Sequence, residues 1–328
     1  MLTAAYVGST GKSLAGAAPG RWTNQIDPKF LVLGNLLTQT ANAANVAAAQ
    51  AIIPSVKLPF PTFSGTIAQM LKPFPQYTSV SAPYNNDGQS NYQAMQWSLQ
   101  QRLSRGLTFN VNYTFSKALG TINGFRSAYL GEKNLSTTDI PRVLNAFYSY
   151  DLPFGKGRMF NPDNKAVRWL VSGWQISGIT RYASGTPLGP FTATCNVPQA
   201  GTCWASYNPN FSGPVRINGG WGHGDVSANA YIDKNAFISP ASFTYGNTPA
   251  TGAYGLRNPH FANQDLSISR NFQIRENMRL AFGADVFNLL NSVRFGGIGT
   301  NITAANFGKV SSQINLPRVV QFRLKLQF

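Results

Sequence analysis

The sequence predicts an all-β fold, an antiparallel transmembrane β-barrel segment of about eight strands with long extracellular loops. Three observations predict it. First, the chain ends on Val320, Phe322, Leu324, Leu326 and Phe328, alternating with Gln321, Arg323, Lys325 and Gln327. A period of two gives a strand one apolar face and one polar face. Second, no apolar run approaches the ~18 residues of a helical membrane span. Charged residues are only 12% of the chain and aromatics also reach 12%, the moderately polar balance of an alternating barrel wall. Third, the connections between strands alternate short and long, as when brief turns lie on one side of a membrane and long loops on the other.

The elements follow in order. Leu2 to Gly8 reads as an opening strand and leads into a loop over 9–90. Within that loop the Ala/Asn/Gln-rich passage from Thr38 to Ile53 predicts a short helix, and Pro54, Pro59, Pro61, Pro73 and Pro75 punctuate the irregular stretch after it. Met95, Trp97, Leu99 and Leu103 share one face of the second strand. Its partner runs from Leu107 to Phe115, with apolar residues at every odd position and Thr108, Asn110, Asn112 and Thr114 between them. Ser104-Arg105-Gly106 is the hairpin turn joining the two. A loop over 119–140 precedes a strand with Leu144, Ala146, Tyr148, Tyr150 and Leu152 on one face. After a compact connection over 153–167, a strand from Arg168 to Ala183 places Leu170, Trp174, Ile176 and Tyr182 together.

The stretch 184–262 is again a loop, and Trp221-Gly222-His223-Gly224-Asp225 within it reads as tight turns. Leu266, Ile268, Phe272 and Ile274 then share a strand face, Arg275-Glu276-Asn277 turns the chain, and Met278, Leu280, Phe282, Ala284 and Val286 line the next strand. A loop over 291–315 leads into the final strand, from about Leu316 to Phe328. If Phe328 lies at the periplasmic edge, as in bacterial outer-membrane barrels, counting backwards assigns every short turn to the periplasm and every long loop to the exterior.

Composition narrows the function classes. Twenty-seven Lys and Arg against eleven Asp and Glu give a formal charge of +16, which raises nucleic acid as a partner. The cations are scattered, however, with no basic run and no helix-turn-helix, zinc-finger or RNA-binding signature, so no nucleic-acid partner is expected. On a barrel such cations meet water in the lumen, lipopolysaccharide phosphates or an anionic solute. Cys195 and Cys203 sit eight residues apart in a Gly/Pro/Asn-rich loop, a spacing that suggests a small local disulfide under oxidising conditions. Without neighbouring histidines they make a poor metal site.

His223 and His260 stand in no protease or metal motif. Gly11-Lys12-Ser13 lacks the leading glycine of a phosphate cradle, since Tyr6 occupies that position. No catalytic, cofactor-binding or metal residues are expected, and the chain does not read as an enzyme. Asp285, between Ala284 and Val286, is expected to face the lumen as a paired carboxylate. Tyr113, Phe115 and Tyr182 fall at outer strand ends, and Tyr148, Tyr150, Phe272 and Phe328 near inner ends. Two aromatic girdles are what a barrel in lipid needs.

Several passages resemble the carboxy-terminal barrel of TonB-dependent outer-membrane receptors of the Oar-like kind. They are Ala5-Tyr6-Val7-Gly8-Ser9-Thr10-Gly11, Pro73-Phe74-Pro75-Gln76-Tyr77, Ser90-Asn91-Tyr92-Gln93-Ala94-Met95-Gln96, Gly106-Leu107-Thr108-Phe109 with Tyr113-Thr114-Phe115-Ser116-Lys117, Leu152-Pro153-Phe154-Gly155, Gly173-Trp174-Gln175-Ile176-Ser177-Gly178 and Phe287-Asn288-Leu289-Leu290-Asn291. The alternating end on Phe328 also resembles the signal that the barrel-assembly machinery reads.

The resemblance implies a larger barrel of about 22 strands, an amino-terminal plug and a box that contacts TonB. Residues 1–328 have room for about eight strands, and neither plug, TonB box nor signal peptide is recognisable in them. They are therefore expected to be the carboxy-terminal part of such a barrel, with two unpaired edges. The implied partners are outer-membrane lipid and lipopolysaccharide, the barrel-assembly machinery, TonB only through an amino-terminal region outside these residues, and an unidentified ligand. Two other functions fit the residues: a small structural or adhesive outer-membrane barrel, and a soluble basic β-protein that binds polysaccharide or nucleic acid.

Overall fold

The computed structural model describes residues 1–14, 24–80, 88–104, 106–121, 132–198, 203–220 and 228–328. Eight long strands run through it: β1 (Leu2–Leu14), β2 (Gly88–Ser104), β3 (Leu107–Gly120), β4 (Arg142–Asp151), β5 (Trp174–Ala183), β6 (Phe261–Arg275), β7 (Met278–Phe287) and β8 (Val319–Gln327). Each pairs antiparallel with the next, so the sheet order is the chain order, with β1 and β8 at its two edges. The shortest strand has nine residues, enough to cross a bilayer in a tilted barrel wall.

Register converts the sequence alternation into two continuous faces. Across one row, Ala4 lies opposite Trp97, Trp97 opposite Tyr113, Tyr113 opposite Leu144 and Leu144 opposite Tyr182. Across another, Ile176, Ile268, Ala284 and Phe322 are successive partners. Directly opposed residues share a face, so a single apolar surface crosses all eight strands. A slip of one residue at any pair would turn that strand's apolar row to the other side.

The first hairpin is short because Gly106 takes a left-handed φ of 81°, a conformation that disfavours any side chain. A Cβ there would also stand 3.0 Å from the Asp151 carbonyl. Arg105 of that turn, His223 and the passage 221–225 lie outside the described residues.

Three boundaries differ from the sequence reading. Residues 168–173 are not strand: Lys165–Val171 form a helix, and β5 begins at Trp174. The Asn164 side chain accepts from Ala166 N and Val167 N at 2.9 and 3.2 Å, and Gly173 closes the helix with φ 77°. A local cap and a left-handed glycine outweigh the apolar spacing there. β1 continues to Leu14, and Gly11-Lys12-Ser13 lies inside it. β8 starts only at Val319. The Leu316 carbonyl is taken by Asn288 Nδ2 at 3.2 Å and Asn315 Nδ2 at 3.0 Å, and Pro317 has no N–H to give the ladder.

The packed interior lies in the loops. Between β1 and β2, a 3-10 turn (Pro28–Thr38), α1 (Ala43–Ile52) and α2 (Ile67–Met70) enclose Ile26, Leu37, Val46, Ala49 and Ile67. Asp27, Asn42 and Thr66 cap the three elements. The helix expected within 38–53 is therefore present as α1; the 3-10 turn before it has no counterpart in the sequence reading. A second core forms in the β5–β6 loop from Leu188, Phe191, Ile232, Phe237 and Leu256, and Ile302 and Phe307 of the β7–β8 loop complete it. Phe191 stacks on Phe237 with ring centroids 4.4 Å apart. The helix Lys165–Val171, α3, belongs to the β4–β5 connection.

Candidate functional site

The polar face of the sheet carries the candidate site. It is the concave side: a hollow of about 510 Å³ is lined by Asn145, Phe147, Ser177, Ile179, Asp265, Asp285 and Phe287, among others. Every one of these seven side chains comes from the face opposite the Trp97–Tyr113–Leu144–Tyr182 row, as the strand pairings require. Phe147 pairs directly with Ile179, and Ile179 with Asp265. Apolar side chains thus sit next to carboxylates and amides on a face that also carries Ser, Thr, Asn and Gln and the cations Arg181, Arg279, Arg323 and Lys325.

Asp285 is held by its neighbours. Arg323 Nε donates to its Oδ2 at 2.7 Å and Arg323 Nη2 to its Oδ1 at 3.3 Å, while Nη2 also reaches Ser267 Oγ at 3.4 Å. The residue opposite Arg323 is Gly283, and a Cβ on Gly283 would come within 2.9 Å of the guanidinium. The missing side chain is what lets Arg323 lie flat across β7 to its partner. The expectation of a paired, inward-facing carboxylate at Asp285 thus has a concrete geometry.

Asp265 accepts from Asn288 N at 2.8 Å, which ties the turn after β7 to the floor of the hollow. Toward the loop end, Phe261 carries two guanidiniums, Arg294 at 4.1 Å and Arg181 at 5.2 Å from its ring centroid. Arg294 also lines a second hollow of about 490 Å³ that shares Asp265 and Phe287 with the first. Anionic and cationic groups therefore alternate along the concave face. The groups it offers are apolar contact surface, charge and hydrogen-bonding side chains. Among the described residues no group of three or more His, Cys, Asp and Glu is placed to hold a metal.

The loop end of the sheet is clasped by a buried ion pair. Asp139, 1% exposed, accepts from Ala118 N at 2.6 Å and from Arg257 Nη2 at 2.6 Å. Arg257 Nη1 donates to the carbonyls of Asp139 and Gly185, both at 3.1 Å. The Asp139–Arg257 pair thus holds the β3–β4 loop, the end of β3 and the β5–β6 loop together.

The residues singled out in the sequence fall as follows. Val320, Phe322, Leu324 and Leu326 point from edge strand β8 to the convex apolar side, and Phe328 lies just past it; Phe322 is 70% exposed. Tyr113, Phe115, Tyr148, Tyr150, Tyr182 and Phe272 all project to that same side. Tyr113 stacks on Trp97 at 5.6 Å, and Tyr182 meets His260 at the loop end at 5.6 Å. Tyr148 lies over Gly178, where a Cβ would stand 2.8 Å from its ring. Phe272 meets Trp169 at 5.7 Å near the turn end. Cys195 and Cys203 are joined in the β5–β6 loop.

No sequence signal marks the roles of Asp139, Arg257, Asp265, Arg294 and Arg323, whose partners are distant, and a further residue is also missed. Arg270 shares the apolar face of β6, opposite Trp174 and Phe282. The signal was the gap it leaves between Ile268 and Phe272 in an otherwise apolar row.

The model of a family described as "Outer membrane beta barrel domain" matches residues 1–321. No curated protein and no solved structure matches the chain.

Proposed function

The chain belongs to the outer membrane beta barrel domain family, and from that premise we propose that it forms part of the wall of a TonB-dependent, Oar-like receptor that takes up a solute. The observation that carries this reading is the concave face. Phe147, Ile179 and Phe287 interrupt a polar wall beside Asp265 and the Asp285–Arg323 pair, which suits an amphipathic solute more than a purely structural wall. Residues 1–328 are read as the carboxy-terminal part of the receptor barrel, and its edge strands β1 and β8 as pairing with further strands. The apolar side faces outer-membrane lipid, the loop side lipopolysaccharide, and β8 presents the assembly machinery with its alternating end. TonB is engaged through an amino-terminal plug region outside these residues. No enzymatic activity and no nucleic-acid partner enter this reading.

In-cell crosslinking tests it, with the chain then recovered from detergent-solubilised outer membranes. TonB in the recovered complex supports the energised receptor. Recovery with assembly machinery and lipopolysaccharide, without TonB, replaces it with a structural or adhesive barrel. That second reading is favoured by the two packed loop cores, which could present a fixed outer surface.

A further inference from the structure

The β4–β5 connection does not simply return the chain beyond the end of the sheet. Its helix α3 folds back onto the apolar side. Arg270, 6% exposed on the apolar face of β6, donates through Nη1 to the Leu170 carbonyl at 2.8 Å and through Nη2 to the Trp169 carbonyl. Its guanidinium lies 4.3 Å from the Phe272 ring centroid, 5.2 Å from Trp169 and 5.6 Å from Trp174. A charge on a lipid-facing row is costly unless it is paired and shielded. Here the last carbonyls of α3 accept its N–H groups at the favourable end of the helix dipole, and three aromatic rings cover it. The consequence is positional: α3 is held at the membrane side of the sheet's turn end.

The outward surface of this element is divided. Met159 and Phe160 in the turn, and Val167, Trp169 and Leu170 on α3, are exposed, Trp169 by 62%. The same connection carries Lys156, Arg158, Lys165 and Arg168 against the single carboxylate Asp163. Of these cations, only Arg158 has a carboxylate within ion-pair distance among the described residues, Asp151 at 3.7 Å. Aromatic and aliphatic side chains beside Lys and Arg, on a short helix parked at a membrane boundary, make an interfacial element that combines apolar burial with attraction to anionic lipid.

We propose that the β4–β5 connection is an in-plane anchor whose cations bind the phosphodiester headgroups of anionic phospholipids in the periplasmic leaflet. This rests on the apolar side facing lipid and on the short turns being periplasmic.

The full chain refolded into phosphatidylcholine vesicles, with or without phosphatidylglycerol, provides the test. A nitroxide on L170C reports α3, and one on F322C reports the sheet; the native cysteines are bonded to each other. The expected result is a label at 170 that is reached by oxygen rather than by a water-soluble nickel complex, with phosphatidylglycerol increasing its immersed population. In K165Q/R168Q the phosphatidylglycerol-dependent gain in the ratio of immersed to exposed label should fall about thirtyfold.

A water-exposed label at 170 beside a lipid-embedded label at 322 would overturn the anchor and leave the sheet's orientation intact. Immersion at 170 that ignores phosphatidylglycerol, or a lipid dependence that survives in K165Q/R168Q, would overturn headgroup binding. Water exposure at both positions would overturn the sheet's lipid-facing side and the anchor with it.

Discussion

The sheet and the loop cores are built on opposite rules. Among the described residues of the eight strands, the only buried hydrophobic side chains are Ala94 and Ala183. The loops, by contrast, fully enclose Phe191, Trp204, Tyr231, Ile67 and Leu37. The sheet therefore has no interior of its own: one face is polar, and the other is an apolar surface that the described residues leave largely uncovered. The outer loops behave as small soluble domains, with caps, cores and a buried ion pair. Hydrophobicity alone therefore does not locate the packed core of this chain. Its most regular apolar pattern belongs to its least buried region.

The largest effect that would sharpen this contrast is expected in a loop core. Phe191→Ala removes a fully buried ring stacked on Phe237 and should cost ~3–5 kcal/mol. Limited proteolysis should then open the outer loops while the sheet keeps its heat-modifiable migration on a gel; loss of both together would mean that the regions are not separable. Asp139→Ala comes next, because it strands Arg257 among carbonyls. A loss toward the lower end of ~3–5 kcal/mol is expected, since the Arg257 side chain retains 23% exposure. Faster hydrogen exchange at the Ala118 amide is its readout.

On the sheet, the two faces should answer differently to one charge. Phe322→Lys should cost ~2–4 kcal/mol in a bilayer if that position lies near its midplane, whereas Gln321→Lys on the concave face should change little. Equal denaturant midpoints for the two variants in vesicles would break the assignment of faces.

The smallest effect is a pH response of opposite sign in the two loop cores. Burial lowers the Lys72 pKa from 10.5, so the unfolded chain binds more protons, and the first core should gain stability as pH rises toward 10.5. Burial raises Tyr207 from 10.0, partly offset by a backbone hydrogen bond from Tyr254. It also raises Tyr254, where the neighbouring Tyr207 adds to the shift. That contribution is present below pH 10.0 and is lost as pH climbs through the raised values, so the second core should weaken. Parallel responses, followed by protease protection of each loop, would contradict the two burial patterns.

Much of the architecture was legible because alternation is a local signal. The shared face of Trp97 and Tyr113, or of Phe282 and Leu324, follows from apolar parity alone, while the structure supplies their direct pairing. Parity is overridden where a local motif competes with it. Leu170 and Trp174 have spacing compatible with one strand face, but Asn164 and Gly173 impose a helix before β5. The candidate site was only partly legible. Asp285 was assigned to the inner face, yet its partner Arg323 is 38 residues away and reaches it only because Gly283 lacks a side chain.

Local periodicity is enough to give the eight strands, their two faces and the side taken by Tyr113, Phe115, Tyr148, Tyr150, Tyr182 and Phe272, since a period of two sets the face within a few residues. Tertiary structure alone decided that Asp139 is joined to Arg257 across 118 residues, that Ile302 and Phe307 complete a core begun in another loop, and that Arg270 is buried among apolar residues beneath α3. Each of these depends on which distant backbone groups and rings converge, and periodicity carries no information about that.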